Sequence, residues 1–130
     1  MKNPTRTIQT RLILEIAGFP KEHVEQVLKK IVEKIKAEKK VLRYKIYEAE
    51  QREKIYSTFT EIEIEFKDMT DLSVFCFDYM PSSIEILEPT ELKLVAKDYE
   101  NMFNDILAKL HNYDMIIKNM KADLLLKRKN

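Results

Sequence analysis

The stretch YSTFTEIEIEF, residues 56–66, decides how the rest of this chain is read. Thr60, Ile62, Ile64 and Phe66 alternate with Glu61, Glu63 and Glu65. A period of two belongs to a β-strand with one buried and one wet face, because successive side chains leave opposite sides of the pleat. Just upstream, residues 41–47 repeat the pattern, with Leu42, Tyr44 and Ile46 inward and Arg43 and Lys45 outward. A polar turn over residues 49–54 joins the two into an antiparallel hairpin. The outward bases of one strand then stand opposite the outward glutamates of the other, each such pair contributing about 0.2–1 kcal/mol.

Working outward from the hairpin, residues 8–17 form a first strand, with Ile8, Thr10, Leu12, Leu14 and Ile16 alternating with Gln9, Arg11, Ile13 and Glu15. Gly18 and Pro20 end it, and Pro20 suits the first turn of a helix, where its missing N–H would have no partner. That helix runs to about Lys39 and carries Val24, Val27, Leu28, Ile31, Val32 and Ile35 on one stripe. On the other side of the hairpin, Asp68, Thr70 and Asp71 are candidate caps for a short helix bearing Met69, Leu72, Phe75, Cys76 and Tyr79, which Met80-Pro81 stops. Residues 83–87 make a fourth strand. Strand, helix, strand, strand, helix, strand with right-handed crossovers predicts an α+β fold: a ferredoxin-like βαββαβ antiparallel sheet with two helices on one face. Leu92 and Leu94, flanking Lys93, predict an added edge strand before Asp98 caps a terminal helix.

In that terminal helix Tyr99, Phe103, Ile106, Leu110, Tyr113, Ile117, Met120 and Leu124 follow one another at alternating spacings of four and three. This is the heptad rhythm of a helix packed lengthwise against other helices. Met102, Leu107 and Ile116 broaden the apolar band early on, whereas Asp114, Lys121 and Asp123 flank the later part, so the first half is expected to pack on the domain or in a bundle and the second to form a narrower two-stranded seam. The expected organisation is a ferredoxin-like domain over residues 1–97 and an amphipathic, coiled-coil helix over 98–130. Since burying one such side chain is worth roughly 1.5–3 kcal/mol, the seam predicts a partner, most simply a second copy of the chain.

Composition narrows the function. The net charge of +1 conceals segregation: residues 29–45 hold eight bases against two acids, and residues 48–91 hold twelve acids against three bases. No apolar run approaches the roughly 20 residues of a membrane span, and residues 1–11 lack the core of a signal peptide, so a soluble, cytoplasmic protein is expected. The single cysteine, Cys76, leaves no internal disulfide and no cysteine-based zinc cage, and its apolar neighbours predict a buried, inert thiol.

Little here points to catalysis, and neither a cofactor nor a metal is expected. His23 and His111 are far apart in sequence and lack ligands at zinc spacing. Ser57, Ser73, Ser82 and Ser83 have no accompanying base, and one glycine in the whole chain leaves no phosphate-cradling loop. In the row Glu61, Glu63, Glu65 nothing nearby singles out one carboxylate for acid–base chemistry.

Nucleic-acid binding has two conceivable routes. RNA-binding proteins of this fold stack bases on aromatics of the open sheet face, but here that face carries the glutamate row, which repels phosphate. The other route is the outer face of the first helix, where Lys29, Lys30, Lys34, Lys36, Lys39 and Lys40 could engage phosphates. Glu33 and Glu38 interrupt that patch, so a merely solvated face is the competing reading.

An acidic-apolar strand, then Asp71-Leu72, a Pro-terminated helix, Ile84-Glu85-Ile86-Leu87-Glu88-Pro89 and Glu91-Leu92 give residues 61–113 a resemblance to the ferredoxin-like C-terminal module of WYL-domain transcriptional regulators. Across the whole chain, the segments Asp78-Tyr79-Met80-Pro81-Ser82-Ser83 and Leu107-Ala108-Lys109-Leu110-His111 resemble small stand-alone archaeal proteins of unassigned function. The resemblance implies a fold and company with nucleic-acid machinery. It carries no ligand-binding residues across, because the winged-helix domain and the WYL core have no counterpart in this chain. The functional expectation is a non-enzymatic, homo-oligomeric adaptor assembled through its C-terminal helix; the alternative is an accessory factor that uses the lysine face to bind RNA or DNA.

Overall fold

The alternation that opens the sequence reading becomes a strand of 12 residues, β4 (Ile55–Phe66), in a computed structural model that describes residues 7–129. Before it come β1 (Ile8–Gly18), α1 (Lys21–Glu38), β2 (Lys40–Ile46) and the short β3 (Glu50–Arg52); after it come α2 (Met69–Tyr79), β5 (Ser83–Glu88) and α3 (Ala96–Lys129). The strands form one antiparallel sheet in the order β2-β4-β1-β5, with β3 paired to the start of β4. The chain falls into two compact units, one ending at Lys93 and one beginning at Leu94.

One face of the sheet is the core. Thr60, Ile62, Ile64 and Phe66 are buried, as are Ile8, Thr10, Leu12 and Leu14 across from them on β1. α1 covers this face with Val24, Leu28, Val32 and Ile35, and Leu72 and Phe75 of α2 join the same core. Three threonines belong to this apolar layer without leaving a hydroxyl unsatisfied. Thr10 donates to the Ile64 carbonyl at 2.9 Å, Thr60 to that of Lys45 at 2.8 Å, and Thr58 to that of Tyr47. Phe66 and Phe75 meet edge to face with ring centroids 5.2 Å apart, and Tyr79 stacks on Phe75 at 4.6 Å.

The ends of α2 follow from its sequence. Asp68 is the N-cap, accepting from the Asp71 amide at 2.8 Å, and Met80 takes the left-handed conformation at the C-cap. Asp71 reaches sideways instead, to the Lys39 ammonium and the Lys67 amide. Burial alone would raise its pKa, but those two donors outweigh it and hold the carboxyl below its usual value. Cys76 is only half-buried, and desolvation pushes its thiol up, which keeps it in the unreactive protonated form.

Five further expectations change. Leu42 does not point inward: a bulge between Val41 and Arg43 leaves it 40% exposed, and Val41 takes the inward place opposite Ile64. An edge strand tolerates such an extra residue because its outer side has no ladder to disrupt. The turn over residues 49–54 contains the strand β3, which folds back on β4. Leu92 and Leu94 add no strand; Leu92 packs against the core instead. Finally, Pro20 is the N-cap of α1 rather than its first residue, and α3 starts at Ala96, which places Asp98 inside its first turn. No helix among the described residues is long and apolar enough to cross a membrane.

Candidate interaction surfaces

The outer face of the sheet carries a charge ladder. Antiparallel register aligns Arg43 of β2, Glu63 of β4, Arg11 of β1 and Glu85 of β5 in one row of alternating sign. Arg11 lies 3.0 Å from Glu85, 3.7 Å from Glu63 and 3.8 Å from Glu61, and Arg43 lies 3.5 Å from Glu63. Lys40 pairs with Glu65 at 3.2 Å in the neighbouring row. Much of the charge segregation along the sequence is therefore internal pairing across this face. Lys45 departs from the pattern: it stands opposite Glu61 in register, but its ammonium lies over the Tyr47 ring, 4.6 Å from the centroid.

The six lysines named for the first helix do not share a face. Successive residues of an α-helix turn about 100°, so Lys29 and Lys36 fall on one flank of α1 and Lys30 and Lys34 on the other, with Glu33 between them. Contacts follow the same division. Lys36 bonds Glu33 at 3.1 Å, which raises its pKa, and lies over the Tyr44 ring of β2. Lys34 lies over the Tyr79 ring of α2, 5.9 Å from its centroid. Lys39 is held by Asp71 and Lys40 by Glu65. Lys29 and Lys30 are exposed and have no ion-pair partner among the described residues.

On the β2 flank the fold assembles something the linear sequence hides. The tight junction at Lys39 and Lys40 folds β2 back beside the end of α1. Lys36, Lys39 and Lys40 thereby line an open groove of about 530 Å³ together with Arg43 and Tyr44. An arginine and an aromatic ring thus sit among the lysines. The signal was present in the one-residue connection between helix and strand, which forces their adjoining ends together.

The second unit is the single helix α3 of 34 residues. Of its seam, Tyr99, Phe103, Leu110, Ile117, Met120 and Leu124 are exposed, with Phe103 at 56% and Leu124 at 58%, while Ile106 and Tyr113 are partly covered. His111 is exposed beside this seam, and His23 is exposed on α1. No group of three or more histidine, cysteine, aspartate or glutamate side chains among the described residues could hold a metal ion.

A model of the MJ0538 family matches residues 9–128, which takes in both units. An uncharacterized protein, MJ0538, of Methanocaldococcus jannaschii is 32% identical over 104 residues, covering 78% of this chain and 38% of the relative. The chain therefore spans about two fifths of the length of that curated relative. No solved structure matches.

Proposed function

The chain belongs to the MJ0538 family, and on that footing we propose that it is a non-enzymatic adaptor that assembles with copies of itself through α3. The observation that carries this reading is the exposed seam. A helix of 34 residues extends about 51 Å at 1.5 Å per residue, and leaving leucine, isoleucine and phenylalanine in water along that length forfeits roughly 1.5–3 kcal/mol for each. A second copy offers the same stripe and covers it. For the first unit we favour a ferredoxin-like reading. The order β2-β4-β1-β5 supports it, with each helix linking strands that have one other strand between them and with β3 as an addition before the third main strand. At micromolar concentration, light scattering should give the full chain at least twice the monomer mass. A chain ended after Tyr113 should scatter as a monomer, with the circular dichroism of a folded sheet retained. A monomeric full chain overturns the reading.

The groove beside β2 favours a second reading, an accessory factor for RNA or DNA. Lys36 and Arg43 would meet phosphates, and Tyr44 offers a ring for a base. On this reading the protein is retained on single-stranded RNA at low salt, with log affinity falling about 0.7 per phosphate neutralised for each unit of log salt. Lys36→Gln with Arg43→Gln should abolish retention, whereas Lys30→Gln, on the opposite flank of α1, should leave it intact. No retention at low salt removes this reading.

A further inference from the structure

The charges that border the α3 seam are not indifferent to how two copies meet. With Phe103, Leu110, Ile117 and Leu124 at the first core position of each heptad, Met102, Lys109, Ile116 and Asp123 precede the seam on one side. Leu107, Asp114, Lys121 and Arg128 follow it on the other. In a parallel pair in register, each residue of the first set meets the residue five positions later on the partner helix, and these border pairs set orientation and partner choice. Lys109 then meets Asp114 and Asp123 meets Arg128, both attractive. Met102 meets Leu107, apolar on apolar. Ile116 against Lys121 and, at the start of the helix, Val95 against Glu100 are mismatched, and twofold symmetry repeats every pair.

The antiparallel alternative can align all eight seam positions in one register, with Leu110 opposite Tyr113 and Phe103 opposite Met120. Its borders fare worse. The only attractive pair is Glu100 with Lys121, while Leu107 faces Asp114, Met102 faces Asp123 and Ile116 faces Lys109. Each of those three contacts sets a charge against an apolar side chain, which either desolvates the charge or leaves the apolar group wet.

Resting on the adaptor reading, we propose that α3 pairs with α3 of a second copy in parallel and in register, with Asp123 and Arg128 as the recognition pair. Asp114 bonds Lys118 one turn along its own helix at 2.9 Å, with both side chains exposed. Such a surface pair is weak and leaves the orientation of α3 to its seam and to Asp123 and Arg128, both exposed.

Site-specific disulfides test this in the full chain with Cys76→Ser, so that each introduced thiol is the sole one. Met120→Cys should form a disulfide-linked dimer under mild oxidation well above the level of Ala108→Cys, which lies on the far side of α3 and reports random collision. In the antiparallel register the two copies of position 120 lie about 26 Å apart along the axis at 1.5 Å per residue, and no disulfide reaches beyond about 7 Å between Cα atoms. A cross-link that forms only between Phe103→Cys and Met120→Cys chains overturns the parallel assignment and leaves the adaptor reading standing. So does an assembled Met120→Cys protein that forms no disulfide above background. A monomer by light scattering, before any thiol is introduced, overturns both. Independently of thiols, Asp123→Lys should weaken assembly several-fold and adding Arg128→Glu in the same chain should restore it. Absence of that rescue counts against parallel pairing, because the antiparallel register brings neither residue to the other.

Discussion

Replacing Phe66 with alanine is expected to destabilise the first unit by about 3–5 kcal/mol, the transfer and cavity terms together for a large aromatic. Phe66 is fully buried at the end of β4, opposite Ile8 of β1, with the edge of Phe75 against its ring and the Lys39 ammonium 5.8 Å from its centroid. It is therefore where sheet, α1 and α2 meet. Small domains are stable by about 5–15 kcal/mol in total, so the loss should appear as a large fall in the urea midpoint. Phe66→Leu, which keeps the site apolar and most of it filled, should recover much of the difference. A loss below about 1 kcal/mol for the alanine variant would mean that α2 does not close over the end of the sheet.

The sheet side of that junction is legible in the sequence, and the reason is local. Along β1 and β4 the alternation is strict, and a shift of one residue would turn Ile62, Ile64 and Phe66 to water and the glutamates into the core. Only one register satisfies both strands. The stripe on α1 was equally plain, because Val24, Leu28, Val32 and Ile35 share one side of a helix and nothing else would bury them. The edge strand β2 was harder. With no neighbour on its outer side, it could accommodate a bulge at Leu42 that no pattern of seven residues announces. Likewise β3 consists of three exposed polar residues whose pairing is set by the return of the chain and not by burial.

The candidate sites divide along the same line. The α3 seam is a property of one element, so its rhythm could be read in the sequence directly. The groove by Tyr44 depends on two elements meeting, so counting lysines along α1 both overstated the patch, by merging two flanks, and understated it, by omitting Arg43. The ladder of Arg43, Glu63, Arg11 and Glu85 lies between these cases. Two of its members were expected to pair across the hairpin, but the other two came from strands whose neighbours only the topology determines.

Leu110→Ala tests the seam at its middle. In a lone helix Leu110 is 48% exposed and Met115, which lies off the seam, is 57% exposed; truncating either would then cost no more than the ~0.5 kcal/mol usual for surface positions. Assembly breaks that equivalence. Leu110 becomes a core residue against the partner helix, and its truncation should cost roughly 2–5 kcal/mol, whereas Met115 stays in water and its truncation changes little. Since each 1.4 kcal/mol is a factor of ten in affinity, Leu110→Ala should move the monomer–dimer transition to more than about tenfold higher concentration. Met115→Ala should leave it in place. Sedimentation across a concentration series reads both variants against the unaltered chain. Equal behaviour of the two would place Leu110 in solvent and dissolve the seam, whatever the rhythm of the sequence.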